Sequence, residues 1–348
     1  MNFYVLNEDL KIIAVVDQYK SAIWTSRYSK AGDFEIYLPA TPENLSIFQK
    51  RYYVIRDDRP ELIGIIEKIK ISTSADGGDF LTISGRDGTA ILWRRIIWLQ
   101  TTFSGSVEDV IRRMITGAFI NPEDSDRQVD NLSLDTPIGG TDKIQIQFTG
   151  DNVGDSIAKL CQEHELGFKV LFDRSTASFT FSLYRGTDRS NDQDDVPRVV
   201  FSEEFDNLLK SDYTDDGSGY KNVARIAGEG QGLERVKTDV GTATGLDRYE
   251  VFVNASQTTN NKGELTKDAY ISILKQKGNE TLTASEQKES MTGEVAPNYG
   301  YKLNQDYFLG DIVEIVNEYG KAMKSRVTEV IESWAPTGYT CLPKFDKN

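Results

Sequence analysis

The stretch YFLGDIVEIVNEYGKAMKSRVTEVIES, residues 307–333, decides the fold because it holds two strand-like runs around a turn. Successive side chains of a strand point to opposite faces, so a surface hairpin alternates apolar and polar residues. Here Ile312 and Val316 lie on one face, while Val313 and Ile315 lie on the other. Both faces of this strand are therefore apolar, and both need cover.

The return strand repeats the pattern, with Val327 and Ile331 on one face and Val330 on the other. A neighbouring subunit or domain could cover the second face. The helix that the sequence predicts at 264–282 could cover it equally well. The hairpin alone leaves both alternatives open.

Residues 1 to about 86 are rich in strand-like runs separated by short polar breaks. The runs FYVLN, KIIAVV, AIWTSRYS and DFEIYLPA come first, followed by a short helix in TPENLSIFQK and a hairpin of ELIGIIEKIKIS and FLTISGRD. So many short antiparallel strands in one segment predict a barrel or a sandwich.

Helical patterns begin after Gly85. DGTAILWRRIIW predicts a short helix, and SVEDVIRRMITGAF predicts a stronger one behind a Ser106–Asp109 capping pattern. DNVGDSIAKLCQEHELG predicts a third helix with Gly167 as its C-terminal cap. The runs GFKVLFD and SFTFSLYRG then predict a hairpin, so this region is expected to be an α+β unit.

Composition limits the class of protein. A chain of 348 residues is long for one core and predicts two or three domains. No apolar run approaches the roughly 20 residues that span a bilayer, and the first residues lack the pattern of a signal peptide. Only Cys161 and Cys341 are present, which favours assembly in a reducing cytoplasm over a disulfide framework.

The net charge is −14, from 40 Lys and Arg against 54 Asp and Glu. Such a chain repels a phosphate backbone overall, which disfavours a conventional nucleic-acid binder. Solubility alone accounts for this charge. A second interpretation is a surface along which a polyanion moves without binding, and such a surface would also carry an excess of acidic residues.

Candidate catalytic residues are few. His164 is the only histidine, and it stands three residues from Cys161 on the third predicted helix. Positions i and i+3 of a helix are neighbours, but Cys161 lies on the apolar stripe, where a thiol stays protonated. No C-x-x-C or H-E-x-x-H spacing is present. We therefore expect no catalytic, cofactor-binding or metal-binding residue and no bound cofactor.

Paired carboxylates could in principle serve a glycosidase, which needs two acids at a controlled separation. The candidate pairs are Asp151 with Asp155, Asp194 with Asp195, and Asp215 with Asp216. All lie in predicted loops or helix starts, where capping or solvated carboxylates are the default. The glycines of GRDGTAILW are interpreted as a strand-to-helix turn, because the full phosphate-loop pattern is missing.

Several segments, in their order and spacing, resemble the tail-hub proteins of bacteriophages over nearly the full length. They include the N-terminal part of siphophage tail-associated proteins and the baseplate hub of contractile tails. The segments that carry the resemblance are AIWTSRYSKAGDFEIYLPAT, ELIGIIEKIKIS with GRDGTAILWRRIIW, KNVARIAGEG, LKQKGNETL and APNYGYKLNQDYFLGDIVEIVNEYGKAMKSRVTEVIES.

The resemblance implies two tube-like β domains per chain and a homotrimer, so that six similar domains surround a central channel. It also implies a mainly β fold with an α+β part, and no enzyme. The implied partners are other copies of the chain, a distal tail or tail tube protein, the tape measure protein, and a tail fibre or receptor-binding tip protein. DNA would only pass through the channel.

The domain plan that follows is discontinuous. Residues 1–90 form the first tube-like barrel or sandwich domain, and residues 91–196 form the α+β domain. Residues 197–231 join 292–348 in the second tube-like domain, because the strands at 199–230 are too few to close a sheet without edges. Residues 232–291 form an insertion whose helix packs outside the ring.

We therefore expect a structural hub in the tail tip or baseplate of a virion, assembled in the cytoplasm of the bacterial host. Some members of the resembling family carry a peptidoglycan-cleaving extension, and the sequence, which reaches Asn348, predicts a hub without that activity. The alternative from another class is a glycan-binding or glycan-cleaving surface or tail protein. We also expect carboxylates to outnumber Lys and Arg along the channel, since a basic lining would bind DNA through counterion release.

Overall fold

The computed structural model describes residues 1–74, 78–260, 265–286, 288–296 and 300–347. Over these ranges the protein is mainly β with helices between its sheets, which confirms the predicted fold class. The strands, numbered β1 to β21 in chain order, are Phe3–Leu6, Ile12–Val16, Ser21–Arg27, Asp33–Pro39, Tyr53–Arg56, Ile63–Ser74, Gly78–Asp87, Thr101–Ser106, Leu132–Leu134, Lys143–Phe148, Gly167–Asp173, Ser178–Tyr184, Val200–Ser202, Leu208–Asp216, Val223–Ala227, Lys237–Val240, Glu250–Asn254, Lys288–Val295, Ile312–Val316, Ala322–Ala335 and Gly338–Lys347. The helices α1 to α4 are Pro42–Ile47, Val107–Ile115, Val153–Glu163 and Lys267–Ala284.

Short polar side chains start the helices, as the sequence predicts for α2. The Ser106 hydroxyl accepts a hydrogen bond from the Asp109 backbone N–H at 3.1 Å, and Thr41 accepts one from Asn44 at 3.1 Å. These contacts satisfy backbone donors that have no partner within the first turn. Among the described residues, no helix is long and apolar enough to cross a bilayer.

One 13-stranded sheet, here called the main sheet, runs through the chain in the order β14-β18-β21-β20-β3-β4-β7-β6-β5-β1-β2. The strands β13 and β19 branch from it, because β19 pairs with both β13 and β20. Three small sheets lie apart from it: β10-β8, β11-β12-β9 and β16-β15-β17. The helices α2 and α3 share one apolar core with β8 to β12.

The opening hairpin forms as β19 and β20, with pairs from Ile312–Arg326 to Val316–Ala322. On one face Val313 and Ile315 are fully buried in a core with Phe201. The helix α4 does not belong to that core. It packs against β15 and β16, and its buried Tyr270 and Leu274 join the apolar cluster of that small sheet.

Two sequence predictions need correction in detail. Helix α3 ends at Glu163, and Glu165 takes the positive φ of 52°, so Gly167 is the first residue of β11 and not the helix cap. The strand β15 was expected in the second tube-like domain, but it pairs with β16 and β17 in a separate sheet. The other strands of 200–216 do share the main sheet with β19 to β21. The full domain plan stays a prediction.

Candidate functional site

The residues considered for catalysis make structural contacts. His164 Nδ1 lies 3.1 Å from a carboxylate oxygen of Asp142, at the end of α3. Cys161 is fully buried on the same helix, and burial raises the pKa of its thiol far above the ordinary value. A thiol that stays protonated is a poor nucleophile. The burial of Cys161 therefore argues against a role as a nucleophile.

The acids of the first candidate pair serve local structure. Asp155 accepts a hydrogen bond from the Trp93 indole N–H at 2.7 Å, and Asp151 accepts one from the Thr149 backbone N–H at 2.8 Å. Both contacts hold the start of α3 against the preceding segment.

The other two candidate pairs also make local contacts. Asp194 forms an exposed ion pair with Arg198, while Asp195 lies in the same loop. Asp216 accepts a hydrogen bond from the Ser218 backbone N–H at 2.8 Å, and Asp215 precedes it on β14. Throughout the part of the chain that the structure describes, no cluster of three or more His, Cys, Asp or Glu residues could hold a metal ion.

The most elaborate arrangement of side chains lies where the two halves of the main sheet meet. Strand β3 from the start of the chain pairs antiparallel with β20 from its end, from Arg27–Glu329 to Ala22–Trp334. Arg27 also forms ion pairs with Glu329 and with Asp33 on β4. Backbone hydrogen bonds and ion pairs thus join strands that lie about 300 residues apart along the chain.

A buried guanidinium reinforces this junction. Arg56 on β5 has no exposed side-chain surface, and its Nη1 donates to Glu332 on β20 at 2.7 Å. Its Nε and Nη2 donate to Asp58 at 2.9 and 2.7 Å. The guanidinium carbon lies 4.5 Å from the ring centroid of Trp334 and 5.8 Å from that of Trp24. Burial opposes the charge, but the two carboxylates outweigh it and raise the pKa of Arg56.

Tyr28, just after β3, connects three parts of the chain. Its hydroxyl donates to the Glu165 carbonyl at 2.9 Å, and its carbonyl accepts from the Phe168 N–H at 3.0 Å. A Cβ built on Gly167 would lie 2.2 Å from the Tyr28 ring, and one built on Gly310 would lie 2.3 Å from it. Only glycine leaves room for the ring at both positions.

A second arginine lies beside Tyr28, at the site with Gly167 and Gly310 that is here called the Tyr28 corner. Arg326 on β20 donates to the Gly310 carbonyl at 2.9 Å and to the Glu165 carboxylate at 2.7 Å. Its guanidinium carbon lies 5.4 Å from the centroid of the Tyr28 ring. The first strands, the end of α3 and the C-terminal hairpin are therefore held together at one point.

The two halves of the main sheet share one strand order. The first half-sheet, β1 to β7, contains the order β3-β4-β7-β6-β5-β1. The second half-sheet, β13, β14 and β18 to β21, contains the order β14-β18-β21-β20-β19-β13. One difference is that β13 runs parallel to its neighbour β19, whereas β1 runs antiparallel to β5.

The long hairpins of the two half-sheets also agree in register. In β6–β7 the pairing shifts between Ile66 and Lys68, and seven residue pairs follow from Lys68–Ser84 to Ser74–Gly78. In β20–β21 the pairing shifts between Val327 and Glu329, and seven pairs follow from Glu329–Lys344 to Ala335–Gly338. The chain therefore contains a structural repeat in which β6 corresponds to β20 and β3 corresponds to β14.

Sequence reasoning missed the residues of this junction. Arg56 and Glu332 each interrupt an apolar strand face with a charge, which is a signal for a buried ion pair. The pattern does not show which two charges meet. The repeat left little trace in the sequence, since Lys68 corresponds to Glu329 and Thr73 to Trp334.

The whole fold is similar to those of solved tail proteins. A tail protein from Neisseria meningitidis MC58 aligns with a TM-score of 0.60 and 14% identity, over 99% of this chain and 97% of that one. The 43 kDa tail protein of prophage MuSo2 from Shewanella oneidensis aligns with a TM-score of 0.57 and 14% identity, over 99% and 98%. Prophage tail protein gp18 from Listeria monocytogenes EGD-e aligns with a TM-score of 0.55 and 11% identity, over 100% and 95%.

No curated protein matches the sequence. A family model that matches nearly the whole chain, together with these structures, confirms the predicted resemblance to phage tail proteins. The family and the structural neighbours are structural tail proteins and not enzymes, in line with the sequence prediction. They support a structural role in a bacteriophage tail and a place in the virion. A family model matches residues 2–345, so the chain belongs to the family described as Siphovirus ReqiPepy6 Gp37-like protein.

Proposed function

We propose that this protein is the hub of a tail tip or baseplate, in a bacteriophage or a phage-like particle, and that it works as a homotrimer around a channel for DNA. The observation that carries this proposal is the structural repeat within the main sheet. Two half-sheets of one strand order stand side by side in a single chain. Three copies would supply six similar units, and such a ring could join a sixfold tail tube to a threefold tip.

The junction inside the chain fits this role. A ring that seals the end of a tube needs its units at fixed angles, and the buried Arg56–Glu332 pair and the Tyr28 corner fix one angle per chain. The α+β part and the sheet of β15 to β17 lie outside the main sheet. These parts are available for partners: a distal tail or tail tube protein, the tape measure protein, and a fibre or tip protein.

The channel should carry more carboxylates than basic groups. DNA must pass through it, and Lys and Arg along the wall would bind DNA by releasing counterions. The excess of 14 acidic residues supports this expectation. The electrostatic potential along the axis of an experimental trimer tests it. An axis dominated by Arg and Lys would contradict the expectation and leave the hub role standing.

The hub role itself is tested on assembled tails. An antibody against the sheet of β15 to β17 should label one end of each purified tail in electron micrographs, and light scattering should give three copies per complex. Label along the whole tube, or on no tail, would contradict the proposal. A stable dimer or tetramer would contradict the threefold state.

The alternative of glycan cleavage gains little support from the cavities. One cavity of about 480 Å³ is lined by Trp334 and Tyr339 together with Asp58 and Glu332. Both acids accept hydrogen bonds from Arg56, which occupies their oxygens. A catalytic acid or base must have an oxygen within hydrogen-bonding reach of the substrate. Hydrolysis of cell-wall glycan by the purified chain, lost in Glu332→Gln but retained in Glu123→Gln, would overturn this reasoning.

A further inference from the structure

Several strand edges of the main sheet have no partner strand in the described part of the chain, and two of them belong to strands that the repeat relates to each other's neighbours. The first is the outer edge of β14, which ends the sheet and pairs only with β18. The second is the outer half of β6, residues 68–74, because β5 pairs only with Ile63 to Ile65. Unpaired edges present rows of N–H and C=O groups to which another strand can add.

The repeat assigns a partner to each of these edges. In the second half-sheet, the strand that corresponds to β6 is β20, and its outer half pairs with β3. In the first half-sheet, β3 corresponds to β14. Since β20 pairs with β3 inside the chain, the repeat predicts that β6 pairs with β14. Within a single chain β6 and β14 do not pair.

We infer that β14 of one copy pairs antiparallel with the outer half of β6 in the next copy, so that the main sheet continues from chain to chain. This inference rests on the proposed homotrimer and names its interface. Transfer of the β20–β3 register through the repeat gives the pairs Asp216–Lys68, Thr214–Lys70, Tyr213–Ile71 and Asp212–Ser72. Because the two edges differ, the contact is head-to-tail and can close a ring.

Charge supports this pairing. The β6 edge presents Lys68 and Lys70, which are exposed and form no ion pair with the described residues. The β14 edge presents the carboxylates of Asp212, Asp215 and Asp216. The corresponding pair inside the chain, Arg27 with Glu329, is an ion pair. The contact between copies would thus repeat that ion pair with the signs exchanged.

Apolar surface supports it as well. Ile71 is 56% exposed in the middle of the free β6 edge. Its counterpart on β20 is Glu332, which is 5% exposed, pairs with Trp24 of β3 and accepts hydrogen bonds from Arg56. In the inferred contact Tyr213 takes the place of Trp24, so an aromatic ring again stands opposite the central residue. The exposure of Ile71 then belongs to the isolated chain only.

Engineered cysteines test the register directly. Ser72→Cys and Asp212→Cys are placed in separate chains, mixed and oxidised. Paired residues of adjacent strands bring their Cβ atoms to about 5 Å, from which a small movement of the strands reaches the roughly 4 Å of a disulfide. We expect a covalent dimer of one chain of each kind, and none from either variant alone, since Cys161 and Cys341 are buried. The matched control is Ser72→Cys with Thr214→Cys, a shift of two residues, which should cross-link at least tenfold less.

A charge exchange gives a second readout. Lys68→Glu should raise the concentration for half-assembly by roughly tenfold, and mixing it with Asp216→Lys should restore assembly on that seam. If light scattering shows trimers but the cysteine variants form no Ser72–Asp212 disulfide, the inferred strand pairing is wrong and the trimer proposal remains. The disulfide in a closed ring of another size would overturn the trimer and leave the pairing standing. Monomers without a disulfide at about 1 mM would overturn the inferred pairing, and tail labelling would then decide the hub role.

Discussion

The guanidinium of Arg56 and the carboxylate of Glu332 form two hydrogen bonds, of 2.7 and 3.2 Å, across 276 positions of the chain. Both side chains are almost completely buried, Arg56 in the first half-sheet and Glu332 in the second. Removing Glu332 leaves the buried guanidinium with only the half-exposed Asp58 as an ionic partner.

We predict that Glu332→Leu lowers the free energy of unfolding by about 3 kcal/mol, measured by urea denaturation. The double variant Arg56→Met with Glu332→Leu should lose less than the sum of the two single variants, because no buried charge is left alone. The control is Glu67→Gln, which breaks the exposed pair with Arg86 and should cost less than about 1 kcal/mol. Equal losses in the two glutamate variants would show that the buried pair does not hold the halves together.

The second prediction concerns Gly167, whose missing side chain leaves space for Tyr28. A methyl group there would lie 2.2 Å from the ring, so Gly167→Ala should lower stability by about 2 kcal/mol or more. Gly117→Ala is the matched control, because its Cβ would meet no atom within 4 Å. That change should be neutral or slightly stabilising. Thermal unfolding of the two variants side by side checks the difference, and similar melting temperatures would contradict it.

The third prediction concerns pH and the contact of α3 with α4. Burial and the neighbouring Glu280 together raise the pKa of Glu163 to about 7, against the effect of a hydrogen bond from Gln276 at 2.8 Å. The unfolded chain releases this proton near its ordinary pKa of about 4.3, so the folded state binds more protons between that value and about 7. The contribution of Glu163 to the free energy of unfolding is therefore fully present below a pH of about 4.3 and is lost as the pH rises through about 7.

The change Glu163→Gln removes that dependence. Since part of the carboxylate remains in water, we expect the variant to be more stable than the parent by about 1 kcal/mol at pH 8, with little difference at pH 4.5. Urea denaturation at both pH values measures it, with Glu123→Gln as the exposed control. A variant that is less stable at pH 8 would show that the ionised carboxylate makes a favourable contact.

The fourth prediction concerns the thiols. Burial raises the pKa of Cys341 to about 11, while Cys161 is fully buried and its pKa is raised further. Thiolate is the reactive form, so both cysteines should resist a thiol reagent at pH 8 in the native protein. Two thiols per chain should react once urea unfolds it. Fast labelling of the native protein would contradict the burial of both side chains.

Local elements were predictable from the sequence because their causes are local. The Ser106 cap, the apolar stripe of α3 and the turn of the opening hairpin each lie within a few residues of what they determine. The contacts between distant strands were not predictable in the same way. Arg27 and Glu329 pair across β3 and β20, and nothing in the sequence of either strand identifies the other as its partner. Strand edges are alike in their backbone groups, so pairing is decided by the whole assembly of side chains.

The cover of the opening hairpin shows the same limit. Its apolar faces required cover, and Val313 and Ile315 do lie in a core. The helix α4 was one of two candidates, but its buried residues face β15 and β16. The periodicity of a helix shows that it has an apolar face but does not show which sheet receives it.

The opposite signs of Arg27–Glu329 and Asp216–Lys68 have a consequence for how copies avoid errors during assembly. If β3 paired with the β6 edge of another copy, Arg27 would lie against Lys68. If β14 paired with the β20 edge, Asp216 would lie against Glu329. Like charges would meet in both mismatches, while each correct seam brings opposite charges together. The repeat would otherwise make the two seams interchangeable and allow chains to exchange halves. The sign reversal therefore favours the pairing of β3 with β20 of its own chain and of β14 with β6 of the neighbouring chain.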